Sequence, residues 1–252
     1  MTPSTRCEQR GRAAWITLDE PAKRNALSAE MTRELAGHLA AALDDPEVRA
    51  VVITGAGKAF CSGADLTAGD AGSPSSQDPF AEILRRIWLA PKPVIAAVNG
   101  SAFGGGLGLV AAADIAIAAD DAAFGFSEVR IGVIPAIISV FVLPKLGPHH
   151  AMRLFLTGER FDAKQAVEYG LIHRAVPADS LDAAVRSELQ SLAQGGPIAI
   201  AEAKQLVRTV PTLSLDAALA FASQKSRERF QSEEAALGMR AFAQKRKPEW
   251  VE

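Results

Sequence analysis

Cys61-Ser62-Gly63-Ala64-Asp65-Leu66 and Phe103-Gly104-Gly105-Gly106-Leu107-Gly108 are two glycine-rich turns. Each follows an apolar run that reads as a buried strand, Ala50–Thr54 before the first and Pro93–Val98 before the second. Glycine leaves the backbone N–H uncovered and lets a ligand approach the main chain. Two such turns side by side can aim two N–H groups at one oxygen, an oxyanion hole for charge forming on a carbonyl. The same glycines allow two other readings. Gly106-Leu107-Gly108-Leu109-Val110-Ala111 fits the dinucleotide fingerprint G-x-G-x-x-A, with Asp120 as a candidate ribose-binding acid. The short helix before Asp114 and the mid-chain position count against that fit, since a parallel crossover needs about ten residues or more. Glycines used for tight packing alone are the third reading.

Working outward, strands and helices alternate. Ala13–Leu18 reads as a strand and Glu20–Leu27 as an irregular polar stretch. Ser28 is a candidate N-cap for a helix carrying Met31, Leu35, Leu39 and Leu43 on one face. Thr67–Pro79, rich in Gly, Ser, Asp and Pro, reads as a mobile surface loop that folds over a bound group. Helices are predicted at Phe80–Leu89, Leu107–Ala113, Ala151–Leu156, Ala163–Tyr169 and Leu181–Leu192, with strands at Ile115–Ala118 and Ala123–Phe126. Ile134–Leu146 is predicted as a buried helix begun by Pro135. Gly195-Gly196-Pro197 marks a boundary before two more polar helical stretches, Ile198–Val210 and Leu215–Arg246. The pattern predicts an α/β fold with a core over 1–195 and a helical part over 196–252.

Composition narrows the function classes. The 252 residues are 48% hydrophobic and 22% charged, with a formal net charge of −2. That balance gives no support to nucleic-acid binding, and no apolar run is long enough to span a membrane. The N-terminal stretch lacks the apolar region of a secretory signal, so a cytoplasmic location is expected. Cys7 and Cys61, and His38, His149, His150 and His173, show no metal-ligand spacing, so no metal is expected.

Glu128 stands in the otherwise apolar segment Phe124–Pro135. A desolvated carboxylate has a raised pKa and suits acid/base chemistry. From the sequence alone, a surface glutamate or a Glu128–Arg130 pair is the more ordinary reading. His149-His150 reads as a capping or surface pair. Ser62 lacks the G-x-S-x-G of a nucleophile elbow, because Phe60 and Ala64 hold the glycine positions. Cys61 has no histidine placed beside it, and Lys245-Arg246-Lys247 reads as a solvated helix end.

Several stretches, in this order, resemble the crotonase (enoyl-CoA hydratase/isomerase) superfamily. They are Pro21-Ala22-Lys23-Arg24-Asn25-Ala26-Leu27, Ala59–Leu66, Ala96-Ala97-Val98-Asn99-Gly100, Gly104-Gly105-Gly106, Asp114–Ala118, Leu156-Thr157-Gly158 and Ala241–Arg246. The resemblance runs from about residue 11 to the end of the chain. It implies a spiral of ββα turns followed by a helical trimerisation region, and a homotrimer or dimer of trimers. It also implies a coenzyme A thioester as substrate with no separate cofactor, and an enzyme of fatty acid metabolism. By motif position, the N–H groups of Ala64 and Gly105 would hold the thioester oxygen. Ala22, Lys23, Ala26, Ala64, Asp65, Leu66 and Gly105 would contact the CoA ester.

One departure matters. Two-carboxylate hydratases of this superfamily carry a glutamate two residues after the triple glycine, where this chain has Gly108; their second glutamate corresponds to Glu128. The segment Phe126–Ser139 looks most like the methylglutaconyl-CoA hydratase branch, in which glycine is common at that first position. The expected activity is hydration of a 2-enoyl-CoA with Glu128 as the single general acid/base. A Δ3,Δ2-enoyl-CoA isomerase and a non-catalytic acyl-CoA-binding homologue are the alternatives.

Overall fold

The computed structural model describes residues 3–66 and 78–251. Residues 67–77, most of the expected Thr67–Pro79 loop, lie outside the described residues. The chain opens with β1 (Thr5–Arg10) and β2 (Ala13–Leu18), an antiparallel hairpin turned at Gly11. α1 (Ala29–Asp44) starts on Ser28, whose side chain accepts the Met31 N–H, and buries Met31, Leu35 and Leu39.

Three ββα units follow. The first is β3 (Ala50–Gly55), β4 (Ala59–Cys61) and α2 (Pro79–Leu89); the second is β5 (Val94–Val98), β6 (Ser101–Phe103) and α3 (Gly105–Ala112). The third is β7 (Ile115–Ala119), β8 (Ala123–Gly125) and α4 (Ala136–Thr157). Then come β9 (Arg160–Asp162), α5 (Ala163–Glu168), β10 (Arg174–Val176), α6 (Leu181–Ala193), α7 (Pro197–Thr209), α8 (Leu215–Phe230) and α9 (Glu233–Ala243).

Each unit gives its first strand to one sheet and its second to another, which winds the chain into a spiral. The larger sheet has the order β1-β2-β3-β5-β7-β10, parallel from β2 onward. The smaller sheet is β4-β6-β8-β9, with only β9 antiparallel. Strands buried on both faces read as unbroken apolar runs, and so they do here. Val51, Ile53, Val94, Ala96 and Val98 point into the main core, while Val52, Ile95, Ala97 and Ile117 pack under Leu181 and Val185 of α6. No helix among the described residues is long and apolar enough to cross a membrane.

Three expectations are corrected. β1 was not anticipated, because Thr5–Arg10 is polar and mostly exposed; it is an edge strand held by its ladder with β2. The predicted buried helix Ile134–Leu146 and the helix Ala151–Leu156 are one element, α4, broken at Gly147 (φ 65°, ψ 166°). It is buried on one face only: Ile138, Phe141, Val142 and Leu146 are covered, while Val140 and Leu143 are 66% and 41% exposed. The stretch Leu215–Arg246 divides into α8 and α9 at Ser232, whose hydroxyl caps the new helix through Ala235 N–H.

The helices after Gly196 are tied to the spiral by buried charge. Asp114, at the head of β7, accepts from Lys204 Nζ (2.7 Å) and Arg208 (2.6 Å) of α7, and from the Val94 N–H (2.8 Å). Lys204 also donates to the carbonyls of Ile87 and Lys92, and Arg208 lies over the Trp88 ring. Burial, opposed by the Asp114 charge, pulls Lys204 down to about 8. A buried anion shared by two cations is costly to remove, because the partners stay buried and unpaired. Asp114→Ala is therefore expected to cost about 3–5 kcal/mol, read as a lower midpoint in denaturant unfolding.

Candidate active site

The irregular stretch Glu20–Leu27 is organised by one side chain. Pro21–Lys23 forms a single 3-10 turn, and Arg24 and Asn25 follow in the left-handed region (φ 53° and 55°). Asn25 is fully buried; its amide nitrogen donates to the carbonyls of Ala56 (3.0 Å), Ala59 (2.7 Å) and Phe60 (3.2 Å). Its Oδ1 accepts the Glu20 N–H at 3.0 Å. The main chain adds Ser62 N–H to Arg24 O (3.0 Å) and Leu27 N–H to Gly63 O (2.8 Å). The turn bearing Ala22 and Lys23 is thereby fixed against the strand that leads into Ala64. In the sequence Asn25 stands within a polar stretch, which carries no sign of its burial.

The two glycine turns meet face to face. A Cβ on Gly63 (φ 91°) would lie 3.0 Å from Phe103 O, 3.3 Å from Gly105 N and 3.5 Å from Gly104 Cα. Gly104 (φ 50°, ψ −121°) precedes α3, so Gly105 N–H is one of the unpaired donors of a helix start. Leu27 pairs with Ala64 as an isolated bridge that uses Gly63 O and Asp65 N–H and leaves Ala64 N–H out. Among the described residues neither Ala64 N–H nor Gly105 N–H has an acceptor. Both residues line one cleft of about 260 Å³, together with Glu128, Leu27, Phe80 and Ile138.

Glu128 opens a 3-10 turn after β8, and its Oε1 is 3.4 Å from where a Cβ on Gly104 would stand. Oε2 is buried and, among the described residues, has no hydrogen-bond partner. Burial pushes the carboxyl pKa up. Arg130 does not pair with it: the guanidinium reaches Thr157 O (3.5 Å) and packs over Gly158. A half-buried carboxylate with an open oxygen beside two open N–H groups can move a proton on a carbonyl compound held by those groups.

The other sequence candidates are placed elsewhere or inert. Lys23 and Ala22 are exposed; Lys23 Nζ lies 3.7 Å from Glu20 and 4.0 Å from Asp65. Ala26 is buried, and Leu66 is 61% exposed. Cys61 is buried with its thiol pushed up to about 12, which removes it as a nucleophile. Ser62 only reaches Lys23 O (3.4 Å). His150 stacks on Tyr169 with centroids 4.4 Å apart, and Asp120 is exposed at the end of β7.

Gly108 is closed by packing. A Cβ there would fall 2.6 Å from Ile138 Cγ2 and 3.2 Å from Leu84 Cδ1. The volume a longer side chain would need is filled by α4 and α2.

The family profile described as enoyl-CoA hydratase/isomerase matches residues 8–252. The chain belongs to this family. A carnitinyl-CoA dehydratase of Salmonella arizonae is 38% identical over 99% of both chains. A putative enoyl-CoA hydratase of Thermus thermophilus is 33% identical over 95% of this chain and 98% of its own. Among solved structures, an enoyl-CoA hydratase from Shewanella pealeana superposes with a TM-score of 0.93 at 34% identity, covering 98% of this chain and 96% of that one. Pseudomonas aeruginosa AtuE gives 0.92 at 37% identity, covering 99% and 100%. The spiral fold expected from the resemblance is thus the fold found, and the packing around Gly108 explains how a member of the family does without a side chain there. Gly108→Glu is expected to overpack this contact and bury a charge, lowering stability by about 3 kcal/mol or more, seen as a fall in Tm.

Proposed function

We propose that this chain is an acyl-CoA lyase that adds water across the 2,3 double bond of an enoyl-CoA, or removes it from the 3-hydroxyacyl-CoA. The observation that carries the reading is the open, buried Glu128 Oε2 in the same cleft as the unpaired N–H groups of Ala64 and Gly105. The names of its relatives, hydratases and carnitinyl-CoA dehydratases, support the same class of reaction.

In this mechanism the thioester oxygen accepts from Ala64 N–H and Gly105 N–H. As water attacks Cβ, electrons shift onto that oxygen, where each main-chain donor stabilises the charge by about 3 kcal/mol. Glu128 takes the proton from the attacking water and returns one to Cα on the same face. The product is the 3-hydroxyacyl-CoA, with Glu128 restored as carboxylate. Because Gly108 offers no second carboxylate, one group serves both ends of the water. Ala22, Lys23, Ala26, Asp65 and Leu66 fit contacts to the CoA portion at the cleft mouth. The exposed Leu215, Leu219, Phe230 and Phe242 of the last two helices fit a homotrimer or dimer of trimers.

A Δ3,Δ2-isomerase is the second reading, since a single carboxylate can carry a proton between Cα and Cγ. Product analysis with 2-enoyl- and 3-enoyl-CoA esters separates the two. Glu128→Gln is expected to lower kcat by about 10²–10⁴ with a much smaller change in KM. An unchanged hydration rate would remove Glu128 from the mechanism. The pH profile gives the sign independently. Glu128 must be ionised to accept the proton, and its pKa is raised by burial. Hydration should therefore fall as pH drops through a value above the ordinary glutamate range.

A further inference from the structure

Two polar features of the cleft take no part in the mechanism above. We propose that Thr32 and the start of α4 form a polar subsite for the acyl chain. Thr32 is the residue that favours an acyl group with a hydrogen-bond-accepting oxygen beyond the reacting carbons over a plain hydrocarbon one. The inference rests on the acyl-CoA reading above and extends it to the acyl group.

Thr32 stands one turn into α1, and its N–H is bound to Ser28 O (2.9 Å). The residue is 8% exposed and lines the cleft. A threonine hydroxyl buried within a helix ordinarily bonds a carbonyl of the preceding turn or another polar group. Here Oγ1 has no hydrogen bond among the described residues, and it is not sealed from solvent. The cleft's other side chains include Leu27, Phe80, Ile134, Ile137 and Ile138, all apolar. A hydrocarbon chain bound against the hydroxyl would leave it dry and unpaired, which costs affinity; an acyl oxygen gives it a partner.

The second feature is independent of the first. α4 is 22 residues long, and its start has no side-chain cap. Ala136 N–H is bound to Ile134 O (2.8 Å) and Ser139 N–H to Pro135 O (3.1 Å). The N–H groups of Ile137 and Ile138 have no acceptor among the described residues, and both residues line the cleft. Open donors at a helix start attract an oxygen, most strongly a negative one. The two other helix starts at the cleft are engaged. At α2, Asp78 Oδ1 accepts the N–H groups of Phe80 (2.8 Å) and Ala81 (3.1 Å). At α3, Gly105 N–H is the donor assigned to the thioester oxygen. The α4 donors are left for the acyl chain. The cleft measures about 260 Å³, so one short chain is within reach of both α1 and α4. A ketone and a carboxylate both supply the oxygen. The carboxylate gains more from the helix start but shares the cleft with Glu128 and Asp78.

The test is calorimetric binding of saturated thioesters to the full-length protein, which needs no turnover. Pentanoyl-CoA is compared with 4-oxopentanoyl-CoA and succinyl-CoA, and hexanoyl-CoA with 5-oxohexanoyl-CoA and glutaryl-CoA. Within each set the esters differ only toward the far end of the chain. In at least one set a ketone or carboxylate ester is expected to bind roughly fivefold or more tightly than the hydrocarbon ester. Which of the two binds more tightly tells a neutral oxygen from an anionic one. Thr32→Val keeps the shape and removes the hydroxyl. It should reduce that oxygen-to-hydrocarbon ratio by roughly fivefold, and Thr32→Ser should restore most of it. Hydrocarbon esters bound as tightly as the oxygenated ones in both sets would overturn the proposal, as would a ratio unmoved by Thr32→Val. Failure to hydrate the matching 2-enoyl esters, with the affinity order and its dependence on Thr32 intact, would count against the catalytic reading alone. Binding of none of the esters would overturn both.

Discussion

The close contact of the two glycine turns is the constraint on which the rest depends. Gly63 stands so near Phe103 O and Gly105 N that no Cβ fits at ordinary distance. Parallel strands in the smaller sheet, β4 beside β6, bring the turns to the same edge. The absence of side chains then lets them touch. At that contact lie the two N–H groups that have no acceptor among the described residues, and Glu128 Oε1 stands beside Gly104.

Rigidity around this contact comes from buried and half-buried polar groups engaged in several hydrogen bonds each. Asn25 holds the Glu20–Leu27 stretch to three carbonyls at the end of β3 and in β4. Asn99 does the same one unit later, accepting Gly55 N–H (2.9 Å) and donating to Gly57 O (3.0 Å). Asp114 locks α7 under the spiral. Such groups are expensive to bury unpaired, so each one specifies a single arrangement of the loops it bridges. Glu128 Oε2 is the contrast: it is buried and, among the described residues, has no hydrogen-bond partner.

Much of the architecture was legible in the chain. The runs Ala50–Thr54, Pro93–Val98 and Ile115–Ala118 read as buried strands because parallel strands covered on both faces must be apolar throughout. β1 was not legible, since an edge strand exposed along nearly all its length carries no such run. The break at Gly147 was also hidden, because the apolar pattern continues through it while the backbone turns. Glu128 could be named but not judged: only the placement of Arg130 over Gly158 distinguishes an open carboxylate from a paired one.

By itself the sequence determined the two turns, their order between buried strands, the family to which they belong, and the glycine in place of a first carboxylate. Those features depend on local backbone freedom and on side-chain period, which are written residue by residue. The tertiary structure decided which donors have no acceptor among the described residues, that Ile138 and Leu84 fill the space at Gly108, and that Glu128 shares one cleft with Ala64 and Gly105. These depend on contacts between residues far apart in the chain, and no local pattern encodes them.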